Sequence, residues 1–237
     1  MKSLKILIGI LFIPFLACII INVGCNSKKG NDTNIYNPID TLDNEIQYEI
    51  YQIKDVGDVS IPNNMELQTG SYKKIAENEL KQNSYKYHYL VADDRIAFRE
   101  KGTNDDISKR NSSYAGVTIQ TFLGQCMKQT DDYSFTPEKL SEFDALYKQQ
   151  VDTICNKMGF IATWQGISIV KINNGTAIKV SYLRSKENNP TVCTDMYQFQ
   201  NYDRMHQIIL SYKQEDSTIW KPLFSKVISS FNLTNIK

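Results

Sequence analysis

The sequence has few of the side chains on which enzymes and metal sites most often depend. It contains only two histidines, His88 and His206, which are far apart in the chain. No His-x-x-x-His, Glu-x-x-His or Cys-x-x-Cys spacing occurs, which argues against a zinc site. The Gly-x-Ser-x-Gly elbow, the P-loop and the dinucleotide fingerprint are also missing. We therefore expect no metal, no cofactor and no enzymatic activity.

An excess of charge of one sign is missing as well. There are 27 Lys and Arg against 26 Asp and Glu, a formal net charge of +1, with no long basic run. Nucleic-acid binding depends on a concentrated basic surface that neutralises phosphates. We therefore expect no nucleic-acid partner. The hydrophobic fraction of 41% suits a globular protein with a proper core.

The N-terminus is organised like an export signal. Two lysines precede an almost unbroken apolar run over residues 6–23, and Gly24 and Cys25 then lead into a polar stretch. The Gly24–Cys25 step resembles the bacterial lipobox, in which the signal is cut before the cysteine and the cysteine is lipidated. This resemblance implies a lipoprotein signal peptide over 1–24 and a lipid anchor on Cys25.

Two alternatives to this interpretation stay open. Asn22 stands where the lipobox usually has leucine, and Cys18 is a second candidate for lipidation. Cleavage before Cys18 would leave the apolar residues 19–21 on the mature protein, so Cys25 is preferred. The other alternative is an uncleaved transmembrane anchor, since the apolar run approaches the ~20 residues that span a bilayer.

All of these interpretations tether an exported domain to a membrane. The N-terminus looks similar to those of lipoproteins from Bacteroidetes-like bacteria, whose surface-export signal is an acidic cluster behind the cysteine. Residues 26–29 are Asn-Ser-Lys-Lys instead. This favours a lipid-anchored protein of the cell membrane or outer membrane that faces the periplasm.

Residues 25–44 are predicted to be a lipidated cysteine followed by a flexible linker, because they are polar, rich in Asn and Asp, and contain Pro38. Asp40-Thr41-Leu42 resembles the pattern that Bacteroidetes O-glycosylate on exported proteins, so Thr41 is a candidate glycosylation site. Thr153 also fits this pattern, but it lies in a predicted helix and is interpreted as a chance match.

A folded domain is predicted over 45–237. Thr136 as N-cap, Pro137 and Glu138 in the first turn, and Gly159 at the end predict a helix between them. Alternating apolar residues predict strands, with hairpin turns at Asn174-Gly175 and 201–204. The predicted strands are 46–50, 59–67 with a break at 63–64, 95–99, 114–123, 167–172, 177–183, 192–200 and 208–212.

A last helix is predicted from the apolar face of Trp220, Phe224, Val227, Ile228 and Phe231, with Pro222 in its first turn. A weaker pattern over 71–82 could form a short helix.

Three cysteines remain if Cys25 is lipidated, so at most one disulfide can form within the domain. Cys126 and Cys193 flank predicted loops and are the expected pair in an oxidising compartment. Cys155 lies beside the apolar stripe of the predicted helix and is expected to be a small buried side chain. None of the three lies near a histidine in the sequence, so no nucleophilic cysteine is expected.

Hairpins followed by helices predict a single α+β domain with an antiparallel sheet. The hairpin, the Tyr197-Gln198-Phe199 strand, the 208–212 strand and the final Trp220…Phe231 helix resemble the PsbP/Mog1/DcrB-like fold. The resemblance covers most of residues 56–235. It implies an antiparallel β-sheet sandwiched by helices and no shared catalytic residues; members of the family mostly act as accessory or binding proteins.

The leading hypothesis is a non-catalytic cell-envelope lipoprotein that binds another envelope protein, held on the membrane through its lipid anchor. Tyr85, Tyr87 and Tyr89 could belong to a contact surface or could cover one face of a sheet. The alternative is a small-molecule-binding or weakly hydrolytic envelope domain with a cleft between sheet and helix.

Overall fold

The computed structural model describes residues 46–69, 90–91, 95–104, 113–123, 136–201 and 204–234. The predicted signal peptide, the linker, the weak helix over 71–82 and the tyrosines at 85–89 lie outside these residues.

The described part of the chain forms strands and two helices. The strands are β1 Tyr48–Ile53, β2 Gly57–Pro62, β3 Met65–Leu67, β4 Leu90–Val91, β5 Ile96–Glu100, β6 Gly116–Leu123, β7 Ile161–Ile172, β8 Gly175–Ser185, β9 Val192–Asn201, β10 Arg204–Lys213 and β11 Asn232–Leu233. The helices are α1 Pro137–Lys157 and α2 Ser217–Ser230, the second preceded by a 3-10 turn, Gln214–Asp216.

The strands form two antiparallel sheets. The smaller sheet has the order β1-β2-β11, and the larger has the order β3-β5-β6-β10-β9-β8-β7, with β4 paired to β6. The predicted break at residues 63–64 is confirmed as a turn, and it separates β2 in the small sheet from β3 in the large one. The prediction of an α+β fold with antiparallel sheet is confirmed.

Helix α1 begins as its sequence predicts. The Thr136 hydroxyl oxygen accepts a hydrogen bond from the Lys139 backbone N at 3.4 Å, and Pro137 occupies the first turn. Gly159 has a φ of +73°, the left-handed conformation that ends many helices. The buried face of the helix is Tyr147, Gln150, Val151, Ile154 and Cys155.

Successive residues of the central strands enter two different apolar clusters, as the two-residue period of a strand requires. In β10, Ile208 and Leu210 pack in one cluster, and Ile209 packs in the other. The first cluster includes Trp220, Phe224, Val227 and Ile228 of α2 together with side chains of the small sheet. The second includes Tyr147, Val151 and Ile154 of α1.

The turn between β7 and β8 differs from the prediction. Ile172 pairs with Gly175, so the turn residues are Asn173 and Asn174, with a positive φ of 48° at Asn173. Gly175 is the first residue of β8, and a Cβ there would lie 3.1 Å from the Phe199 ring. The prediction of Asn174-Gly175 as the turn pair was therefore wrong by one residue.

Contacts with the C-terminal segment explain this shift. Asn173 Nδ2 donates to the carbonyl oxygens of Phe231 at 2.7 Å and Ser229 at 2.9 Å. Asn174 donates to the Leu233 carbonyl at 2.7 Å and accepts from the Leu233 backbone N at 2.9 Å. The two asparagines thus hold the end of α2 and strand β11 against the hairpin, which is a tertiary role that turn statistics do not contain.

The sequence predicted Pro222 in the first turn of the last helix, and this prediction was wrong. The helix begins at Ser217, directly after the 3-10 turn, so Pro222 lies inside it. An interior proline removes one backbone hydrogen bond. Trp220 and Phe224 are both buried around it, and their burial against the core offsets this cost.

Strand β7 is longer than predicted because it contains a bulge. The pairing with β8 shifts between Trp164 and Gly166, and Gly166 has a φ of +107°. The Asp144 carboxylate of α1 accepts from Trp164 Nε1 at 3.1 Å and from the Ile167 backbone N at 3.0 Å. Gly166, which lies just outside the predicted strand 167–172, is therefore held within the observed strand by a helix side chain.

We expect Asp144→Ala to lower the free energy of unfolding by about 2–3 kcal/mol, since the indole and backbone N–H groups both lose a charged acceptor. Urea unfolding followed by circular dichroism measures this change. Asp152→Ala is the matched control, because Asp152 forms only an exposed ion pair with Lys148 at 2.6 Å and should cost about 0.5 kcal/mol or less. Equal losses in the two variants would contradict the proposed role of Asp144.

Candidate functional site

A half-exposed group of polar side chains lies on the face of the large sheet that also contacts α2. Ser181 Oγ donates to Asp195 Oδ1 at 2.6 Å, and Lys179 Nζ lies 3.3 Å from Asp195 Oδ2. The Lys179 ammonium is also 5.6 Å from the centre of the Tyr197 ring. We call Lys179, Ser181, Asp195 and Tyr197 the Asp195 cluster.

Cross-strand pairing brings this cluster together. Ser181 is directly opposite Asp195, and Lys179 is directly opposite Tyr197, on the neighbouring strands β8 and β9. Opposite-charge and hydroxyl–carboxylate neighbours are common stabilising pairs on a sheet face. Asp195 already accepts from a hydroxyl and pairs with an ammonium, so the cluster has the form of a satisfied polar patch.

Next to the cluster, Cys193 lies directly opposite Tyr212 on β10. Burial raises the pKa of the Cys193 thiol, and it raises the pKa of Tyr212 to about 12. Burial likewise raises the pKa of the Cys155 thiol to about 11. Because the thiolate is the nucleophilic form, both described cysteines are held in their unreactive state at neutral pH.

We expect Cys155 and Cys193 to react slowly with iodoacetamide at pH 7.5 in the folded protein and quickly in urea. The reason is that a raised pKa leaves little thiolate in the native state. Peptide mapping by mass spectrometry assigns the label to each cysteine. Rapid labelling of Cys193 at neutral pH in the native protein would contradict this expectation and indicate an activated thiol.

His206 is wholly buried on β10 and takes part in a polar network. Its Nδ1 lies 2.8 Å from the Thr121 hydroxyl, and its Nε2 lies 3.2 Å from Asn201 Nδ2. Asn201 Nδ2 also donates to the Thr234 carbonyl at 2.8 Å, which fixes that group as a donor. His206 Nε2 must then accept, and Nδ1 carries the single proton and donates to Thr121. Burial, with Arg204 as a second cause, lowers the pKa of His206 to about 4.

A second buried polar group lies on the opposite face of the large sheet, below α1. Gln120, Gln207 and Gln198 are directly opposite one another on β6, β10 and β9, and all three are buried. Gln120 Nε2 donates to Gln207 Oε1 at 2.9 Å, and the Tyr147 hydroxyl donates to Gln198 Oε1 at 2.6 Å. Gln150 of α1 is buried one helical turn after Tyr147. We call the four glutamines the amide layer.

The structure describes only some of the residues that the sequence analysis singled out. Cys25, Thr41, Cys126 and His88 lie outside the described residues, so lipidation and glycosylation stay predictions. Cys193 is a free thiol in the structure, and its predicted disulfide with Cys126 stays a prediction. Cys155 is buried, as predicted.

The described residues contain neither a candidate metal site nor a candidate membrane-spanning helix. In these ranges no group of three or more His, Cys, Asp or Glu side chains could hold a metal ion. Neither of the two described helices is long and apolar enough to cross a membrane.

The sequence analysis did not single out the amide layer, because each glutamine alone is an ordinary polar residue of a strand or helix. One signal was present: Gln207 directly precedes the unbroken apolar run Ile208-Ile209-Leu210, a pattern typical of a strand that is buried on both faces. A polar residue in such a strand must face protein on either side of the sheet. Gln150 was not singled out either, because it is the one polar residue among the buried apolar residues Tyr147, Val151 and Ile154 of α1.

Comparisons with known proteins give structural matches only. No protein family and no curated protein sequence matches the chain. Cyanobacterial PsbP from Synechocystis sp. PCC 6803 is similar at 12% identity and a TM-score of 0.49, covering 87% of this chain and 98% of that chain. A protein from Bacteroides thetaiotaomicron (9% identity, TM-score 0.38) covers 75% of this chain and 45% of that chain. A protein of unknown function from Pseudomonas aeruginosa (10% identity, TM-score 0.36) covers 80% and 99%.

A PsbP structure is therefore among the solved structures similar to this chain, as the sequence resemblance predicted. At this identity and TM-score, no statement about function is taken from the likeness.

Proposed function

We propose that the protein is a non-catalytic binding module of the cell envelope, held on a membrane by a lipid on Cys25 and acting as an accessory to another envelope protein. One observation supports the absence of catalysis in this proposal: the described thiols and the described histidine are poorly suited to act as nucleophiles or general bases. Cys155 and Cys193 have raised pKa values, and His206 is buried with both ring nitrogens in hydrogen bonds. Catalysis needs such groups accessible and near their working pKa.

The proposal includes the full layer arrangement expected from the sequence, an antiparallel sheet sandwiched by helices. The alternation of β10 side chains between a cluster with α1 and a cluster with α2 supports it. In this arrangement the protein has a rigid sheet at its centre, and partner contacts fall on strand edges and on the outer faces of the helices.

Two edge strands offer surfaces for a protein partner. β1 and β7 each pair with one neighbour among the described strands. Each also carries a strongly exposed apolar side chain, with Ile50 72% exposed and Ile161 70% exposed. An edge strand presents unpaired backbone groups that a partner can use. Apolar side chains beside such an edge add contact area.

The test is crosslinking in cells, followed by affinity purification of the tagged full-length protein and mass spectrometry. We expect one enriched envelope protein with the wild-type chain and its loss with Cys25→Ala, because the anchor places the domain beside its partner. Equal enrichment with the Cys25→Ala variant would contradict the role of the anchor. An absence of any enriched protein would contradict partner binding.

Surface variants then locate the interface. Ile50→Lys and Ile161→Lys each place a charge on an edge strand, and at least one should abolish the crosslink. Ile219→Lys tests the helix surface separately, since Ile219 is 56% exposed on α2. If all three variants keep the crosslink, the edges of β1 and β7 are not the binding surface.

A second candidate function, small-molecule binding, is favoured by a different observation. The side-chain amide of Gln150 is buried, and neither its nitrogen nor its oxygen has a hydrogen-bond partner. Native proteins satisfy most buried polar groups, so such an amide calls for an explanation. A bound ligand is one explanation.

A further inference from the structure

The turn between β7 and β8 contains a chemically reactive dipeptide. Asn174-Gly175 is the only Asn-Gly step in the chain, and Asn174 is exposed. In such a step the backbone nitrogen of the glycine can attack the side-chain amide carbon of the asparagine and expel ammonia. Glycine permits this attack because it has no Cβ to hinder the approach. Asn174 is therefore the asparagine of this chain that is most prone to spontaneous deamidation.

In the folded protein, both ends of the Asn174 amide are bound to β11. Asn174 Nδ2 donates to the Leu233 carbonyl oxygen at 2.7 Å, and Asn174 Oδ1 accepts from the Leu233 backbone N at 2.9 Å. Deamidation moves Asn174 Cγ onto the nitrogen of Gly175 and expels Nδ2, so it breaks both bonds to Leu233. Docking of β11 on the hairpin therefore slows the reaction.

Strand β11 is a short segment at the end of the described chain. It consists of Asn232 and Leu233, which pair with β2. Behind it, the Thr234 backbone N donates to the Val56 carbonyl at 3.0 Å, and the Thr234 carbonyl accepts from Asn201 Nδ2 at 2.8 Å. Short terminal segments open at a lower free energy than the core. Opening of β11 releases the Asn174 amide while the rest of the fold persists.

Deamidation removes the donor that holds Leu233. The Gly175 N–H gives its proton to a solvent base, the bond from Gly175 N to Asn174 Cγ forms, and Nδ2 leaves as ammonia. Water then opens the cyclic imide at either carbonyl, which gives aspartate or isoaspartate. Both products carry a carboxylate, which has no hydrogen to donate to the Leu233 carbonyl oxygen and repels it. Isoaspartate also adds a carbon to the backbone of a two-residue turn.

We propose that Asn174 is a deamidation site whose rate is controlled by the docking of β11, and that deamidation makes the release of β11 permanent. Chains with β11 docked keep the amide, and chains with β11 open lose it. The released strand uncovers the edge of β2 at Gly57 and Asp58. This inference is independent of partner binding and of small-molecule binding.

Two other asparagines provide internal comparisons, because their side chains also bind the C-terminal segment. Asn173 Nδ2 donates to the Phe231 carbonyl, and Asn201 Nδ2 donates to the Thr234 carbonyl. They are followed by Asn174 and Tyr202, whose side chains hinder the attack that glycine permits. A similar contact with a different following residue should therefore leave these two amides intact.

The test follows deamidation of the full-length protein in mildly alkaline buffer. Peptide mapping by mass spectrometry gives the deamidated fraction at each asparagine, and isoaspartyl methyltransferase labelling identifies isoaspartate. Leu233→Ala weakens the docking of β11, because the Leu233 side chain is 3% exposed, and it retains the backbone groups that bind Asn174. Asn232→Ala is the matched control in the same strand, since the Asn232 side chain is exposed.

We expect Asn174 to deamidate about tenfold or more faster in Leu233→Ala than in the wild type, because the lost packing makes opening of β11 more frequent. Asn232→Ala should match the wild type. Leu233→Val removes less of the side chain and should give an intermediate rate; it replaces Leu233→Ala if that variant does not fold. Circular dichroism checks the fold of each variant.

A second measurement concerns the product and does not depend on the Leu233 variants. Asn174→Asp imitates one deamidation product, and we expect it to remove hydrogen-exchange protection from the Leu233 and Thr234 amides while α1 and β9 keep theirs. The inference fails if protection of these two amides is unchanged in Asn174→Asp. It also fails if the folded Leu233 variants deamidate Asn174 no faster than the wild type, or if Asn173 or Asn201 deamidates faster than Asn174.

Discussion

Replacing Gly57 with alanine should lower the free energy of unfolding by about 3 kcal/mol or more. Gly57 has a φ of +150°, a backbone conformation that only glycine adopts readily. A Cβ at this position would also lie 2.1 Å from the Asn232 carbonyl oxygen and 3.1 Å from the Phe231 ring. Both atoms belong to the C-terminal segment that pairs with β2, so the alanine would push that segment away.

Urea unfolding of Gly57→Ala against the wild type measures the loss. Gly159→Ala is the matched control, because Gly159 also has a positive φ, +73°, but its nearest atom to a new Cβ is 3.9 Å away on Lys186. The control should cost about 1 kcal/mol, from backbone conformation alone. If the two substitutions cost the same, the close approach of β2 to β11 does not contribute to stability.

The second large effect is a loss of stability in mild acid that is caused by His206. Burial lowers the pKa of this histidine to about 4 in the folded protein, whereas an unfolded histidine has a pKa of 6.5. Protonation would also make Nε2 a donor facing the Asn201 amide nitrogen, which is a donor itself. His206 is therefore protonated at a lower pH in the folded state than in the unfolded state.

The direction of the pH dependence follows from proton counting. Between pH 6.5 and 4 the unfolded chain binds a proton at this position that the folded chain does not bind, so stability falls as the pH falls. The contribution of the neutral ring is fully present above pH 6.5. Over the whole interval, 6.5 minus about 4 pKa units at 1.36 kcal/mol each gives a loss of about 3 kcal/mol.

Unfolding free energies at pH 5, 6 and 7.5 test this expectation in a range where most carboxylates stay ionised. The wild type should lose stability steadily below pH 6.5, and His206→Gln should show a clearly flatter dependence, whatever its absolute stability. His88→Gln is the companion variant. If the pH dependence of the unfolding free energy disappears with His88→Gln and persists with His206→Gln, the effect belongs to His88 and the expectation for His206 is wrong.

The elements that could be predicted from the sequence are those fixed by neighbouring residues. Helix α1 was predicted from Thr136, Pro137 and Gly159, because a capping hydroxyl, a fixed φ and a left-handed terminus act within one turn of the chain. The strands β8, β9 and β10 were predicted within a few residues, since runs of β-branched and aromatic residues between polar turns decide their position.

The errors occurred where distant contacts decide the local conformation. Asn173 and Asn174 form the turn because their side chains bind the end of α2 and strand β11. Gly166 is retained inside β7 because Asp144, on a different element, accepts the hydrogen bonds of the bulge. Neither partner is close in sequence, so no local pattern indicates them.

The candidate sites depend even more on tertiary structure. Ser181 and Asp195 meet only when β8 pairs with β9 in the observed register, and a single sequence does not specify that register. Gln120, Gln207 and Gln198 come from three strands, and each alone reads as an ordinary polar position. Their alignment in one row across the sheet is visible only in the folded protein.

Pairing of β2 with β11 constrains the order in which this protein can be completed. Asp58 pairs with Asn232 and Gly57 with Leu233, so the small sheet joins the first described part of the chain to the last. A chain that is synthesised, or threaded through an export channel, from its N-terminus has β2 available long before β11. Completion of the small sheet must therefore wait until Leu233 is available, and closing the loop from Gly57 to Leu233 is an intrinsically slow step.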